Sequence, residues 1–272
     1  MPELPEVETC KKGLRPLLCQ KTITAVDVRA ARLREPLDAI ALSQLIHCQI
    51  TEITRRAKYL IININREDIA VLVHLGMSGS LRVLPQTEPI KKHDHIIITL
   101  NDGYSLRYHD PRRFGLFTVF HAQKPHRLLQ HLGIEPLDDS CTGDVLHQHC
   151  QKRKIKINSL IMNQNIIVGI GNIYATEALF LSGIRPDRPA QTLSAAECAS
   201  LMAQIKTLLT AAIARGGTTL RDFSAPDGHA GYFQQQLHVY GKSGQHCPKC
   251  GNILEDLKIS NRGTVYCPHC QR

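Results

Sequence analysis

The 272-residue sequence predicts an α+β protein of more than one domain: an N-terminal helix leading into a β-sandwich or barrel, an all-helical segment, and a cysteine-rich tail. Three observations carry this reading. Apolar residues recur at helical spacing directly after Pro5, and short β-branched runs then fill residues 22 to 120. Past about residue 130 the strands give way to longer apolar-periodic stretches, and the chain closes on two Cys-x2-Cys pairs. The expected domains are 1–130, 131–235 and 236–272.

In the opening MPELPEVETC, Pro2 and Pro5 bracket Glu3, with Glu6 and Glu8 just behind. Val7, Cys10, Leu14 and Leu17 or Leu18 follow on one face, which predicts an amphipathic helix ending near Cys19. The runs TITAVDV, QITEITRR, KYLIINI, IAVLVHL, HIIITL, YSLRY and GLFTVF read as strands, with NDG at 101 to 103 as a hairpin turn. Helix is expected through GDVLHQHCQKRKIKINSLIM, through GNIYATEALFLSG, and from Ser194 to Arg215. In the last of these, Ser194 and Glu197 form a capping box, Leu201, Ile205, Leu208 and Ala212 make the buried face, and Gly216-Gly217 stops the helix.

Lys and Arg number 33 against 24 Asp and Glu, a net charge of +9 that points to an anionic partner, nucleic acid or anionic lipid. No apolar run approaches the roughly 18 residues of a membrane helix, and the acidic, proline-broken start lacks the basic and apolar regions of a signal peptide. A cytoplasmic protein is therefore expected, with no membrane partner. In a reducing compartment Cys10, Cys19, Cys48, Cys141, Cys150 and Cys198, scattered without pairing logic, read as small buried hydrophobes or idle thiols.

The other four cysteines are spaced for a task. CPKC at 247 to 250 and CPHC at 267 to 270, sixteen residues apart, match a four-thiolate structural zinc site, with Cys247, Cys250, Cys267 and Cys270 holding one Zn2+. Two disulfides are the alternative. A closed shell has no position for water, which assigns the metal to folding rather than chemistry. KISNRGTVY, between the pairs, alternates like one arm of a hairpin, and Arg262 at its turn either reaches a ligand or is a solvated surface arginine.

The start of the chain is also a chemical group. Initiator methionine is generally removed before proline, which leaves the secondary amine of Pro2 as the terminus. An α-amino group has a pKa of about 7.7 to 8.0 against about 10.4 for lysine, so its neutral, nucleophilic fraction at pH 7 is hundreds of times larger. Addition to an aldehyde-level carbon yields a permanently charged iminium, and Glu3 is placed for proton transfer beside it. The plainer reading is a stiff tail whose glutamates favour the helix dipole.

Six stretches, in order along the whole chain, then carry a resemblance: MPELPEVET, RRAKYL at 55 to 60, HLGMSGSLR at 74 to 82, DPRRFG at 110 to 115, GIGNIYATEALF at 169 to 180, and the terminal NRGTVYCPHCQ. They are similar to the bacterial formamidopyrimidine-DNA glycosylases. The resemblance implies a helix-fronted β-sandwich joined to a helix-two-turns-helix domain with a zinc-finger β-hairpin. It implies a monomeric base-excision repair enzyme that removes oxidised purines from double-stranded damaged DNA and then nicks the abasic site. Carried over by position, Pro2 is the Schiff-base nucleophile, Glu3 the acid/base of base removal, and Glu6 a supporting residue. Lys58 is associated with β-elimination and Arg262 with δ-elimination.

A flipped-out nucleotide leaves a hole in the duplex. By the same resemblance Met77 and Phe114 enter it as apolar wedges and Arg112 faces the orphaned base. His74, His93, Lys154 and Asn172 match further DNA contacts, with GIGN at 169 to 172 as a phosphate-holding turn near a helix N-terminus. The polar stretch 218–232 corresponds to the family's mobile loop over the flipped base, and Tyr240 lies just beyond it. Asn158 and Asn163 depart from the lysine and aspartate common in the family, and Lys154 or Lys156 is expected to supply the positive charge there. Two other readings stand beside this one. The sister endonuclease VIII branch acts on oxidised pyrimidines but typically begins PEGPE, where this chain has Leu4; a non-catalytic zinc-finger DNA-binding protein leaves Pro2, Glu3 and Lys58 without a role.

Overall fold

The computed structural model describes residues 1–216 and 237–272. These divide into two compact units, one built on Met1–Gln130 and the other on His131–Ala214 with the C-terminal tail.

The first unit opens with helix α1, Leu4–Leu18. Glu3 is its N-cap: the Glu6 carboxylate accepts the Glu3 backbone N–H at 2.8 Å, one half of a capping box. Cys10, Leu14 and Leu18 are buried while Leu17 is exposed, so the apolar stripe runs through Leu18. Strands β1 (Ile23–Val28), β2 (Ile50–Arg56), β3 (Tyr59–Ile64), β4 (Ile69–His74), β5 (Ser80–Pro85), β6 (Asp94–Leu100), β7 (Tyr104–His109) and β8 (Leu116–His121) follow, with a short helix α2, Ala39–Ser43, between β1 and β2. They form two antiparallel sheets, ordered β1-β6-β7-β5 and β2-β3-β4-β8. Ile23, Ile96, Ile98, Leu106 and Tyr108 of the first sheet and Ile53, Leu60, Ile62, Val71, Val73 and Phe117 of the second share one core with α1, so the architecture is the sandwich.

Two elements of this unit escape the sequence patterns. Helix α2 is too short to show a 3.6-residue period. Strand β5 begins inside the glycine-bearing stretch HLGMSGSLR, among none of the runs that read as strands; its pairing with β7, Leu81 opposite Tyr108 and Val83 opposite Leu106, makes it a strand. The NDG turn joins β6 to β7 as expected, with Gly103 in the left-handed region at φ +86°.

The second unit contains helices α3 (Gly143–Cys150), α4 (Ile157–Ile161), α5 (Asn172–Leu181) and α6 (Ala195–Ala214), then a hairpin of β9 (Glu255–Ile259) and β10 (Arg262–Tyr266). The stretch expected as one helix from Gly143 is two. Residues 151–156 leave the helix, Lys156 is extended and pairs with Pro189, and Ile157 N–H donates to Arg188 O at 2.9 Å. Tertiary pairing overrides a good helical propensity there. Helix α6 starts at its capping box, Ser194 N–H to Glu197 Oε2 at 2.8 Å and Glu197 N–H to Ser194 Oγ at 3.2 Å, and buries Leu201, Ile205, Leu208 and Ala212. It approaches α3 so closely that a Cβ on Gly143 would sit 2.4 Å from Ala199 Cα. KISNRGTVY supplies the end of one hairpin arm and all of the other, with Ser260 and Asn261 at φ +48° and +63° forming the turn; it is not a single arm.

One buried carboxylate orders the chain where it resumes after the undescribed segment. Glu177 on α5 accepts the backbone N–H groups of His238, Val239 and Tyr240 at 2.7 to 2.8 Å and the His238 ring at 2.9 Å. Burial alone would raise its pKa; these bonds hold it below the usual carboxylate value. Glu177→Leu leaves the three amide donors unpaired and should lower the stability of this unit by about 3 kcal/mol or more, read from denaturant melts, with Glu177→Gln in between.

Candidate functional site

The first unit brings most of the expected catalytic residues to one helix start and one turn. Pro2, Glu3 and Glu6 are all buried around the first turn of α1, where the positive end of the helix dipole favours the two carboxylates. Lys58 occupies the two-residue β2–β3 turn with Ala57 and is 6% exposed. Ala57 adopts φ +53°, a left-handed conformation that costs a residue with a Cβ about 1 kcal/mol. A guanidinium holds it there: Arg55 Nη1 donates to Ala57 O at 2.9 Å, while Arg55 Nε donates to Glu8 Oε2 on α1 at 2.8 Å.

His74 ends β4 near this turn. Its Nδ1 accepts the Gly76 N–H at 2.9 Å, which leaves Nε2 as the donor of a neutral ring. Burial, with the charges of Lys58 and Arg34, pushes its pKa down to about 4. At neutral pH His74 therefore offers a hydrogen bond and not a charge.

The loops after β4, before β6 and after β7 carry Met77, His93, Arg112 and Phe114. Met77 and Phe114 are exposed, at 40% and 50%, and the Arg112 guanidinium lies 4.9 Å from the Phe114 ring. Gly76, at φ +64°, packs so tightly on the backbone of the other loop that a Cβ would meet Phe114 C and Gly115 N at 2.5 Å. Fully buried Asp110 ties the loops together. It accepts Ser78 Oγ–H at 3.1 Å and Gly115 N–H at 2.8 Å, and donates its own N–H to His93 O at 3.0 Å. The Asp110 carbonyl also bonds the His95 ring at 2.9 Å. Two loops presenting exposed apolar side chains from a rigid polar base are what a wedge into a base stack requires.

The second unit holds the rest. Gln164 pins the GIGN turn: its Oε1 accepts Gly169 N–H at 2.8 Å and its Nε2 donates to Met162 O and Ile170 O, each at 3.0 Å. Asn172, the first residue of α5, donates Nδ2 to Gly263 O at 2.8 Å, so its side chain braces the hairpin. Arg262 is the exposed first residue of β10, with Nη1 3.3 Å from Met162 Sδ, and Ser260 Oγ lies 3.1 Å from Ser159 Oγ. The hairpin tip is thereby fixed on α4 and α5. Tyr240 is held by its N–H to Glu177, and Lys154 and Lys156 are exposed between α3 and α4. Asn158 is completely buried, so position 158 presents no surface charge, and Asn163 closes a local turn by accepting Asn165 N–H at 3.0 Å. The stretch 218–232 lies outside the described residues.

The four cysteine sulfurs all lie within 4.8 Å of one another, with Cys247 to Cys270 at 3.9 Å and Cys250 to Cys267 at 3.5 Å. A tetrahedral zinc with Zn–S of about 2.3 Å sets S···S near 3.8 Å. A disulfide needs about 2.05 Å, so the paired-disulfide alternative falls. Lys249 N–H and Cys270 N–H each point at a ligand sulfur at 3.4 Å, as thiolates bound to a cation favour. These residues form one structural zinc site.

Sequence reasoning passed over Arg55, Glu8, Asp110, Gln164 and Glu177. All but Gln164 stand inside the six family-like stretches, but a polar residue that ends up buried has no local pattern that separates it from a solvated one.

Comparison with known proteins agrees along the whole chain. Family models match in succession: the formamidopyrimidine-DNA glycosylase N-terminal domain over residues 1–117, the formamidopyrimidine-DNA glycosylase H2TH domain over 132–224, and the zinc finger found in FPG and IleRS over 244–272. The formamidopyrimidine-DNA glycosylase of Hydrogenovibrio crunogenus is 49% identical over 274 residues, covering 100% of this chain and 97% of that protein. The protein of that name from Escherichia coli O6:H1 is 46% identical with 100% of each chain covered. Among solved structures, MutM (FPG) of Thermus thermophilus superposes with a TM-score of 0.88 at 35% identity, covering 99% of this chain and 98% of that one. Wild-type Lactococcus lactis Fpg (MutM) in complex with N7-benzyl-Fapy-dG containing DNA gives 0.90 at 32% identity with 100% of both covered.

The His74 environment has a pH signature. The unfolded chain, with an ordinary histidine pKa of 6.5, takes up a proton that folded His74 resists down to about 4, so stability is lost as pH falls across that window. His74→Gln should remove about 2 kcal/mol of the stability lost between pH 7 and pH 5 in denaturant melts.

Proposed function

From the premise that the chain belongs to the formamidopyrimidine-DNA glycosylase family, we infer that it is a base-excision repair enzyme, a glycosylase of oxidised purines such as 8-oxoguanine and formamidopyrimidines and a lyase of the resulting abasic site. The observation that carries the reading is the buried Pro2–Glu3 pair at a capped helix start, in a unit that also buries Lys58 beside a neutral histidine.

With Met1 removed, the neutral Pro2 amine attacks C1′ of the damaged nucleotide as the C1′–N bond to the base breaks. Glu3 transfers the proton this exchange requires, and Glu6, bonded to the Glu3 N–H at 2.8 Å, keeps that residue from swinging away. The C1′–O4′ bond then breaks as O4′ takes up a proton, and the ring-opened iminium draws electrons from C1′, which acidifies C2′–H. Loss of that proton expels the 3′ phosphate, the β-elimination with which Lys58 is associated; Arg262 serves the second, δ-elimination, which expels the 5′ phosphate. Zinc supplies no step: it is the structural ion of the hairpin that carries Arg262.

The protein acts as a monomer on double-stranded damaged DNA in the cytoplasm. Met77 and Phe114 fill the space left by the extruded nucleotide, and Arg112 faces the orphaned base. His74, His93, Lys154, Asn172 and Tyr240 hold the strand. Of these, Lys154 contributes by charge and His74 by a neutral donor. No helix among the described residues is long and apolar enough to cross a membrane.

Borohydride reduction should trap a covalent complex with DNA carrying 8-oxoguanine opposite cytosine, through Pro2. A chain that retains Met1 should bind this DNA and give no adduct; an adduct of undiminished yield would overturn the role of Pro2. The same assay with an oxidised pyrimidine should give the weaker signal, and the reverse order would place the enzyme with the endonuclease VIII branch.

Salt dependence separates the two kinds of contact. Lys154→Ala should reduce the slope of log K against log salt by about 0.9, the value for one phosphate, whereas His74→Gln should weaken binding with the slope unchanged.

A further inference from the structure

We propose that Glu8 and Arg55 are positioning residues, a brace that locks the turn carrying Lys58 to the helix whose first turn carries Pro2. The inference rests on the catalytic roles given above to Pro2 and Lys58.

Glu8 stands in the second turn of α1 and is 9% exposed. Burial alone would raise its pKa, but the hydrogen bonds and charges of Lys11 and Arg55 outweigh it and hold the carboxyl below its usual value, so Glu8 is ionised across the working range. Its Oε1 faces Lys11 Nζ at 2.6 Å and its Oε2 faces Arg55 Nε at 2.8 Å. The same guanidinium sends Nη1 to Ala57 O at 2.9 Å.

That carbonyl belongs to the peptide plane shared with the Lys58 nitrogen. Holding it fixes the orientation of the Lys58 backbone, and it does so at a turn that needs holding, since Ala57 is in the left-handed region at φ +53°. One planar, delocalised cation thus spans helix and turn with two donors in fixed relation. A lysine ammonium, a point charge on a flexible stem, does not reproduce that geometry.

An ordinary structural role for the pair, fastening α1 to the sheet, predicts lost stability without any particular dependence on Lys58. A double-mutant cycle separates the two. Single-turnover strand cleavage of abasic-site DNA is measured for the full chain, for Arg55→Lys, for Glu8→Gln, for Lys58→Ala and for each brace variant combined with Lys58→Ala. DNA affinity and the yield of the borohydride adduct are measured alongside. Arg55→Lys and Glu8→Gln should each slow cleavage by about 10- to 100-fold, the scale of a misplacement on the order of 1 Å. Affinity and adduct yield should stay within about threefold, and in the Lys58→Ala background the same changes should cost less than about twofold, because the group they aim is gone.

Equal losses in both backgrounds, or adduct yield falling in step with cleavage, would overturn the brace and leave Lys58 its role. Lys58→Ala at the parent rate would instead overturn the role of Lys58, and the brace with it. Glu8→Gln, nearly isosteric, breaks the link from the helix side, so the outcome does not hang on whether Arg55→Lys folds.

Discussion

Asp110 is the interaction on which the presenting surface of the first unit depends. A buried carboxylate is tolerated only where donors surround it, and Asp110 draws its donors from separate loops: Ser78 beside Met77, and Gly115 beside Phe114. Its own N–H reaches a third loop at His93 O, 3.0 Å away. The penalty for leaving that carboxylate unpaired is what holds three loops in one arrangement. Exposed apolar side chains can then be presented on short loops without collapsing into the core.

The same device recurs wherever a functional segment needs fixing. Glu177 collects three successive backbone N–H groups and so orders the chain from His238 to Tyr240. Glu6 takes the N–H of Glu3, and Gln164, a neutral version, accepts Gly169 N–H and donates to Ile170 O. In each case a side chain on regular structure, or on a turn packed against it, substitutes for the ladder bonds that a loop lacks. The zinc site does this with a metal: four thiolates from two knuckles set the base of a hairpin whose tip carries Arg262.

Electrostatics divides the work between charge and shape. The net charge of +9 is carried by exposed residues such as Lys154 and Lys156, suited to a polyanion. Close to the expected chemistry the pattern changes, because His74 is kept neutral by burial and by the nearby Lys58 and Arg34 charges. A neutral donor there avoids adding a further positive charge beside Lys58 and Arg34.

The sequence by itself determined the class of fold, most of the strands, helix α6 with its cap and buried face, and the four zinc ligands; it also marked Pro2, Glu3, Lys58 and Arg262 as expected site residues through the motifs in which they stand. These are legible because each is a local signal: alternation, a 3.6-residue period, a capping box, a two-residue thiolate gap. Tertiary structure alone decided the rest. Strand β5 exists because β7 pairs with it, the stretch from Gly143 breaks because Lys156 pairs with Pro189, and Leu18 rather than Leu17 faces the core because the sheet lies on that side. Glu8, Arg55, Asp110 and Glu177 matter through partners 47, 47, 32 and 61 or more positions away, and Asn158 proves to be interior. A polar side chain reads alike in sequence whether it is solvated or buried; only the fold supplies the donors that let it be buried.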